Sequence, residues 1–149
     1  METDQTSRGD FPPPQPLAMV VCDSIHHDPG SDKASILGCF SVIGSREFPA
    51  IHPVMCLYVS ITDGRGRVDV RVQLIDVDET REPVWEESRT VDFTDPRMVI
   101  EISYVVPCAE FPEPGEYRFQ MFANDDFLME RRILVVAVDG DSENEPNGN

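Results

Sequence analysis

The stretch CDSIHHDPG, Cys22 to Gly30, gathers more metal-ligating residue types than any other part of the chain. Cys22, His26, His27 and Asp28 fall close together with Asp23 among them, and His52 and Cys56 stand where a second loop could bring them near. Thiolate, imidazole and carboxylate are ligands that zinc accepts. The spacing matches no closed zinc motif, however, and adjacent histidines on an extended chain point to opposite sides. The competing reading is a polar hairpin loop in which Asp28-Pro29-Gly30 supplies turn chemistry. That reading is preferred, because only composition speaks for a metal.

Nucleophilic catalysis needs Ser, Cys or Thr beside a histidine base with an orienting acid. Cys108 is the best candidate, since it follows Pro107 in an expected loop. Its neighbours Glu110 and Glu113 are acidic, and negative charge disfavours a thiolate. The chain has no Gly-x-Ser-x-Gly elbow, no phosphate-cradling glycine loop and no His-Glu-x-x-His. The expectation is therefore a protein that is not an enzyme, with no catalytic residue and no cofactor.

Charge narrows the partners. The 149 residues carry a net charge of −16, of which the head (Met1 to Pro16) holds −2 and the tail (Asp139 to Asn149) −4, leaving −10 between them. Nucleic-acid affinity comes mainly from Lys and Arg displacing counterions, so a nucleic-acid partner is not expected. The same charge disfavours an anionic membrane surface, and no apolar run is long enough to span a bilayer. With no basic-then-apolar leader, a cytoplasmic protein is expected. The cysteines Cys22, Cys39, Cys56 and Cys108 form no Cys-x-x-Cys pair and read as free thiols, the first three as small hydrophobes inside apolar runs.

The elements that position these groups are strands. RVDVRVQL sets Val68, Val70, Val72 and Leu74 on one face and charged or polar residues on the other, a period of two. MVIEISYVV, EYRFQMFA and VMCLYVSIT repeat the pattern. Eight strands are expected: Leu17–Ser24, Ala34–Ile43, Val54–Thr62, Arg67–Asp76, Val84–Phe93, Met98–Val106, Glu116–Ala123 and Phe127–Val138. A phase change near Glu130–Arg132 predicts a bulge. TDGRGR and ANDDF read as hairpin turns, VDETREP as another turn, and FPAIHP as a loop. The polar, Pro-rich head (1–16) and the acidic tail (139–149) lack the apolar content to order themselves, so one domain over 17–138 is expected between disordered ends. DFPPPQP reads as a semi-rigid spacer in preference to a polyproline ligand. Trp85 reads as a core or rim residue.

FPEPGEYRF, Phe111 to Phe119, reads as a corner. Pro112 and Pro114 cannot donate to a ladder, Gly115 supplies a conformation that other residues avoid, and Tyr117 heads the next strand with its ring inward. This is the tyrosine corner of immunoglobulin-like sandwiches, so the fold expected is an all-β, antiparallel, immunoglobulin-like β-sandwich. Together MVVCDSI, ASILGCFSVIGSREFPAIHP and FPEPGEYRFQMFANDDFLMERRILVV resemble an uncharacterised bacterial domain family of unknown function. That resemblance implies a small all-β bacterial protein and no particular activity.

The last two strands carry apolar residues on both faces, whereas a sandwich face turned to water is polar. Phe122, Leu128, Leu134 and Val136 are therefore the candidate interface, to a protein partner or a second copy of the chain. The function expected is a non-enzymatic interaction or structural module. The alternative is a metal- or small-ligand-binding domain using Cys22–Asp28 with His52.

Overall fold

Val68, Val70, Val72 and Leu74 are buried on one side of a strand, and Arg67, Asp69 and Gln73 lie on the other. The computed structural model describes residues 11–78 and 81–139, and within them the same alternation builds nine strands and no helix. They are β1 (Gln15–His27), β2 (Ala34–Cys39), β3 (Val42–Ser45), β4 (Ala50–Thr62), β5 (Gly66–Asp76), β6 (Trp85–Phe93), β7 (Val99–Phe111), β8 (Gly115–Ala123) and β9 (Asp126–Ala137).

Two sheets result. Sheet I has the order β2-β1-β4-β7 and sheet II the order β3-β9-β8-β5-β6. Their inner faces share one core, in which Leu57 and Tyr104 from sheet I meet Leu74 and Phe119 from sheet II. Each such fully buried side chain contributes roughly 1.5–3 kcal/mol relative to exposure.

Several expectations change. The strand predicted over Ala34–Ile43 is two strands, β2 in sheet I and β3 in sheet II. The chain changes sheet at Phe40–Ser41, just after Gly38, whose φ of +72° suits glycine and whose missing Cβ leaves room for the Asp23 side chain. There β3 enters alongside β9 in the same direction, so sheet II is not purely antiparallel. TDGRGR is no hairpin, since β4 and β5 belong to different sheets. The FPAIHP loop ends early: β4 begins at Ala50 and carries His52 and Pro53 within it. Pro53 is tolerated because β1 stops pairing with β4 at Cys56. The bulge falls at the β8–β9 register shift beside Met121/Phe122, nearer the turn than Glu130.

Other features match. Asn124 and Asp125 both have positive φ, 47° and 72°, as a two-residue hairpin between β8 and β9 requires. VDETREP joins the antiparallel pair β5–β6, although Glu79 and Thr80 lie outside the described residues. FPEPG carries the chain from β7 in sheet I to β8 in sheet II, and the Tyr117 hydroxyl donates to the Glu113 carbonyl at 2.7 Å. The expected disorder of the ends falls largely on residues 1–10 and 140–149, outside the described residues. Phe11–Pro14 is described, and β1 begins at Gln15, ahead of the expected Leu17.

Candidate functional site

A broad concavity lies on the outer side of sheet II at its β5–β6 end. It is a groove of about 1190 Å³. Alternation along β5 turns Arg67, Asp69 and Arg71 outward to form its floor, opposite Asp92, Thr90 and Ser88 of β6. The β8–β9 turn, Ala123–Asp126, forms one wall, and Phe11-Pro12-Pro13-Pro14 forms another.

Polar contacts fix this geometry. The Asp69 amide donates to Asn124 Oδ1 at 2.9 Å, the Asn124 amide donates back to the Asp69 carbonyl at 2.8 Å, and Thr90 Oγ1 donates to Asp69 Oδ1 at 2.9 Å. The turn is thus clamped to the floor through its left-handed asparagine. Arg71 is held in three ways: Nη1 donates to Gln73 Oε1 at 3.0 Å, Glu86 lies 3.8 Å away, and the guanidinium covers the Phe122 ring at 4.2 Å. Arg65 lies over the Phe11 ring at 5.3 Å, and Pro14 is buried. Arg65 and Arg67 make no ion pair among the described residues, although Asp69, Asp125 and Asp126 line the same groove and Asp92 stands opposite Arg67. The arrangement holds an aromatic ring by cation–π contact with Arg65.

The side chains proposed from sequence as metal ligands are dispersed. Cys22 is buried on β1, its thiol donating to the Cys56 carbonyl at 3.7 Å. Burial pushes its pKa up to about 11, with Cys56, Cys39 and Asp23 adding to the shift. His26 and His27 sit at the exposed end of β1, paired with Ser35 and Ala34. His27 Nε2 lies 3.2 Å from Ser103 Oγ, so the β1–β2 hairpin arches over the outer face of sheet I to reach β7. Asp28 Oδ2 accepts from the Gly30 amide, the Ser31 amide and Ser31 Oγ at 2.8–3.1 Å. Those bonds hold its carboxyl below the usual range and use it as turn chemistry. The His52 ring packs on Phe40 at 5.7 Å. Among the described residues no group of three or more such side chains is placed to hold a metal ion. Cys108 is exposed within β7, at a left-handed kink with φ 49°.

The interface candidates separate into two places. Leu134 and Val136 are exposed on β9 beside Val42 of the short edge strand β3. Phe122 is half-buried under Arg71 and packs edge-on against Phe127 at 5.8 Å, and Leu128 packs partly onto the core. Trp85 is a rim residue, edge-on to Tyr104 at 5.6 Å and to Phe119 at 6.2 Å. The groove itself was not found from sequence. Arg65, Arg67 and Arg71 are visible as one run, but their wall comes from Phe11–Pro14, far away in the chain.

Among solved structures, the chain is similar to part of the alkylpurine DNA glycosylase AlkC of Pseudomonas fluorescens, at 11% identity and a TM-score of 0.46, covering 80% of this chain and 30% of that one. It is similar also to part of a β-glucosidase of Listeria innocua, at 14% identity and a TM-score of 0.44, covering 80% of this chain and 16% of that one. The chain thus spans less than a third of either. No curated protein matches the sequence. The profile of a family of unknown function, DUF6941, matches residues 17–136, from the start of the apolar part of β1 nearly to the end of β9, and the chain belongs to that family.

Proposed function

We propose that this domain is a non-enzymatic interaction module that receives an extended, aromatic- and proline-containing segment of a partner protein in the groove over β5 and β6. The observation that carries this reading is the placement of the chain's own Phe11-Pro12-Pro13-Pro14 along that groove, with Arg65 over the Phe11 ring. A polyproline segment loses little entropy on docking, because its backbone is already extended. Asp10 precedes Phe11, so a docking segment with an acid beside its aromatic residue would complement Arg65 and Arg67. In this reading Phe11–Pro14 occupies the site until a partner segment replaces it.

The architecture is read as an immunoglobulin-like sandwich. Two sheets around one core and the Tyr117 hydroxyl bonded to Glu113 support it. A bacterial cytoplasm is the setting proposed, and four free cysteines suit a reducing compartment.

The test uses a fluorescent peptide, Gly-Asp-Phe-Pro-Pro-Pro-Gln-Pro, and fluorescence anisotropy with the full chain. Phe11→Ala, which weakens the resident segment, should bind the probe roughly tenfold more tightly than the wild type, a gain of about 1.4 kcal/mol. Adding Arg65→Ala and Arg67→Ala should abolish that gain. Equal affinity in all three proteins, or no saturable binding in any, rejects the groove as the docking site.

A further inference from the structure

Cys39, Cys22 and Cys56 stand opposite one another on β2, β1 and β4, as Cα partners in a single row across sheet I. Directly opposed residues of antiparallel strands share a face. We propose that Cys39 and Cys22 form a thiol–disulfide exchange site, with Cys39 as the entry thiol, Cys22 as the resolving thiol and a low-molecular-weight disulfide as the oxidant.

The ladder distinguishes the two possible pairs. The Phe40 amide donates to the Val21 carbonyl at 3.2 Å, one residue outside the Cys22–Cys39 pair on each strand. That bond marks Cys22–Cys39 as a non-hydrogen-bonded pair, in which Cα atoms are about 4.5 Å apart and side chains approach most closely. A disulfide spans Cα separations of about 4.4–6.8 Å, a range that includes the spacing of such a pair. The amide and carbonyl of Cys22 then turn toward β4, which makes Cys22–Cys56 the wider, hydrogen-bonded kind, about 5.5 Å between Cα atoms.

Exposure sets the order of events. Cys39 is exposed, and Cys22 is wholly buried. The buried thiol holds its proton more tightly than a free one, so first attack falls to Cys39. The Cys39 sulfur attacks the disulfide RSSR, giving Cys39–S–S–R and one RSH that carries away the thiol proton. Cys22 Sγ then attacks Cys39 Sγ, the bond to R breaks, and a second RSH leaves with the Cys22 proton. Two protein thiols are oxidised, one small disulfide is reduced to two thiols, and β2 becomes bonded to β1 at the edge of sheet I.

The experiment treats the full chain, carrying Cys108→Ser to remove the other exposed thiol, with oxidised glutathione. Free thiols are then alkylated, and intact and peptide masses are read. The expected product takes up two fewer alkyl groups than the reduced chain treated in the same way, and yields a Cys22–Cys39 linked peptide. Cys56→Ser should leave that product unchanged, while Cys22→Ser should stop at a stable glutathione adduct on Cys39. A stable adduct on Cys39 with Cys22 present, or a Cys22–Cys56 link, overturns the assignment. Circular dichroism of each variant separates loss of the bridge from loss of the fold.

Discussion

Sheet I meets sheet II at two places that use a buried tyrosine in opposite ways. At the β7–β8 boundary the chain itself crosses between the sheets. There Tyr117 packs edge-on to Phe111 at 4.8 Å and its hydroxyl donates to the Glu113 carbonyl. At the β6–β7 boundary no ladder joins the strands, and side chains alone close the gap. Tyr104 is wholly buried there, with Trp85 against its edge and the Arg89 guanidinium over its ring at 4.6 Å. Its hydroxyl is the one buried side-chain oxygen or nitrogen among the described residues with no hydrogen-bond partner. A continuous chain supplies a backbone carbonyl at a fixed offset, whereas a seam of side chains supplies only rings and area. The first boundary is therefore both packed and satisfied, and the second is packed at the cost of one orphaned hydroxyl.

The largest effect that would sharpen this contrast is packing itself. Phe111→Ala should cost about 3–5 kcal/mol, because Phe111 is fully buried beneath the corner. Trp85→Ala should cost less, roughly 2 kcal/mol, since Trp85 is only partly buried on an edge strand. Urea denaturation followed by circular dichroism measures both, and equal costs would erase the distinction between the boundaries.

Alkaline stability is the next effect. Desolvation pushes the Tyr104 pKa up to about 12 from its ordinary 10, with a partial offset from Arg89. Between those values the unfolded chain has lost a proton that the folded chain retains. Stability from this group is thus complete below pH 10 and lost as pH rises through about 12. A shift of that size corresponds to roughly 2–3 kcal/mol. Burial raises Cys22 as well and adds a loss of the same sign, so the tyrosine's share is read as the difference between wild type and Tyr104→Phe. Parallel stability curves from pH 9 to 12 would remove Tyr104 from the account.

The two boundaries were unequally legible. The corner could be read because its parts are local: Pro112, Pro114, Gly115 and Tyr117 lie within six residues, and each constrains the backbone by its own chemistry. The alternation of β5 and β8 placed their core faces for the same reason. Tyr104 also fell on an inward face by alternation, but its missing partner depends on how β6 lies against β7, which nothing near Tyr104 encodes. The change of sheet at Phe40–Ser41 carries no proline, and Gly38 alone does not announce it. The arrangement of Cys39, Cys22 and Cys56 required the register of three strands, and the groove required Phe11–Pro14 to lie along β5. Local turns were readable, and long-range juxtapositions were not.

The smallest effects test the contrast most directly, because one atom is removed at each boundary. Tyr117→Phe leaves the ring against Phe111 and deletes the hydroxyl that binds Glu113. It should destabilise the protein by about 1–2 kcal/mol, the loss of a hydrogen bond with a partly buried carbonyl left behind. Tyr104→Phe deletes a hydroxyl that makes no bond, keeps the ring under Arg89 and against Trp85, and removes a desolvation cost. It should stabilise the protein by roughly 1 kcal/mol at pH 7, and raise the melting temperature by a few degrees for a domain of this size. The same chemical change therefore has opposite signs at the two boundaries. If Tyr104→Phe also destabilises, the hydroxyl has a partner in solution, the β6–β7 seam admits water or a polar group, and the boundary is wetter than its packed rings imply.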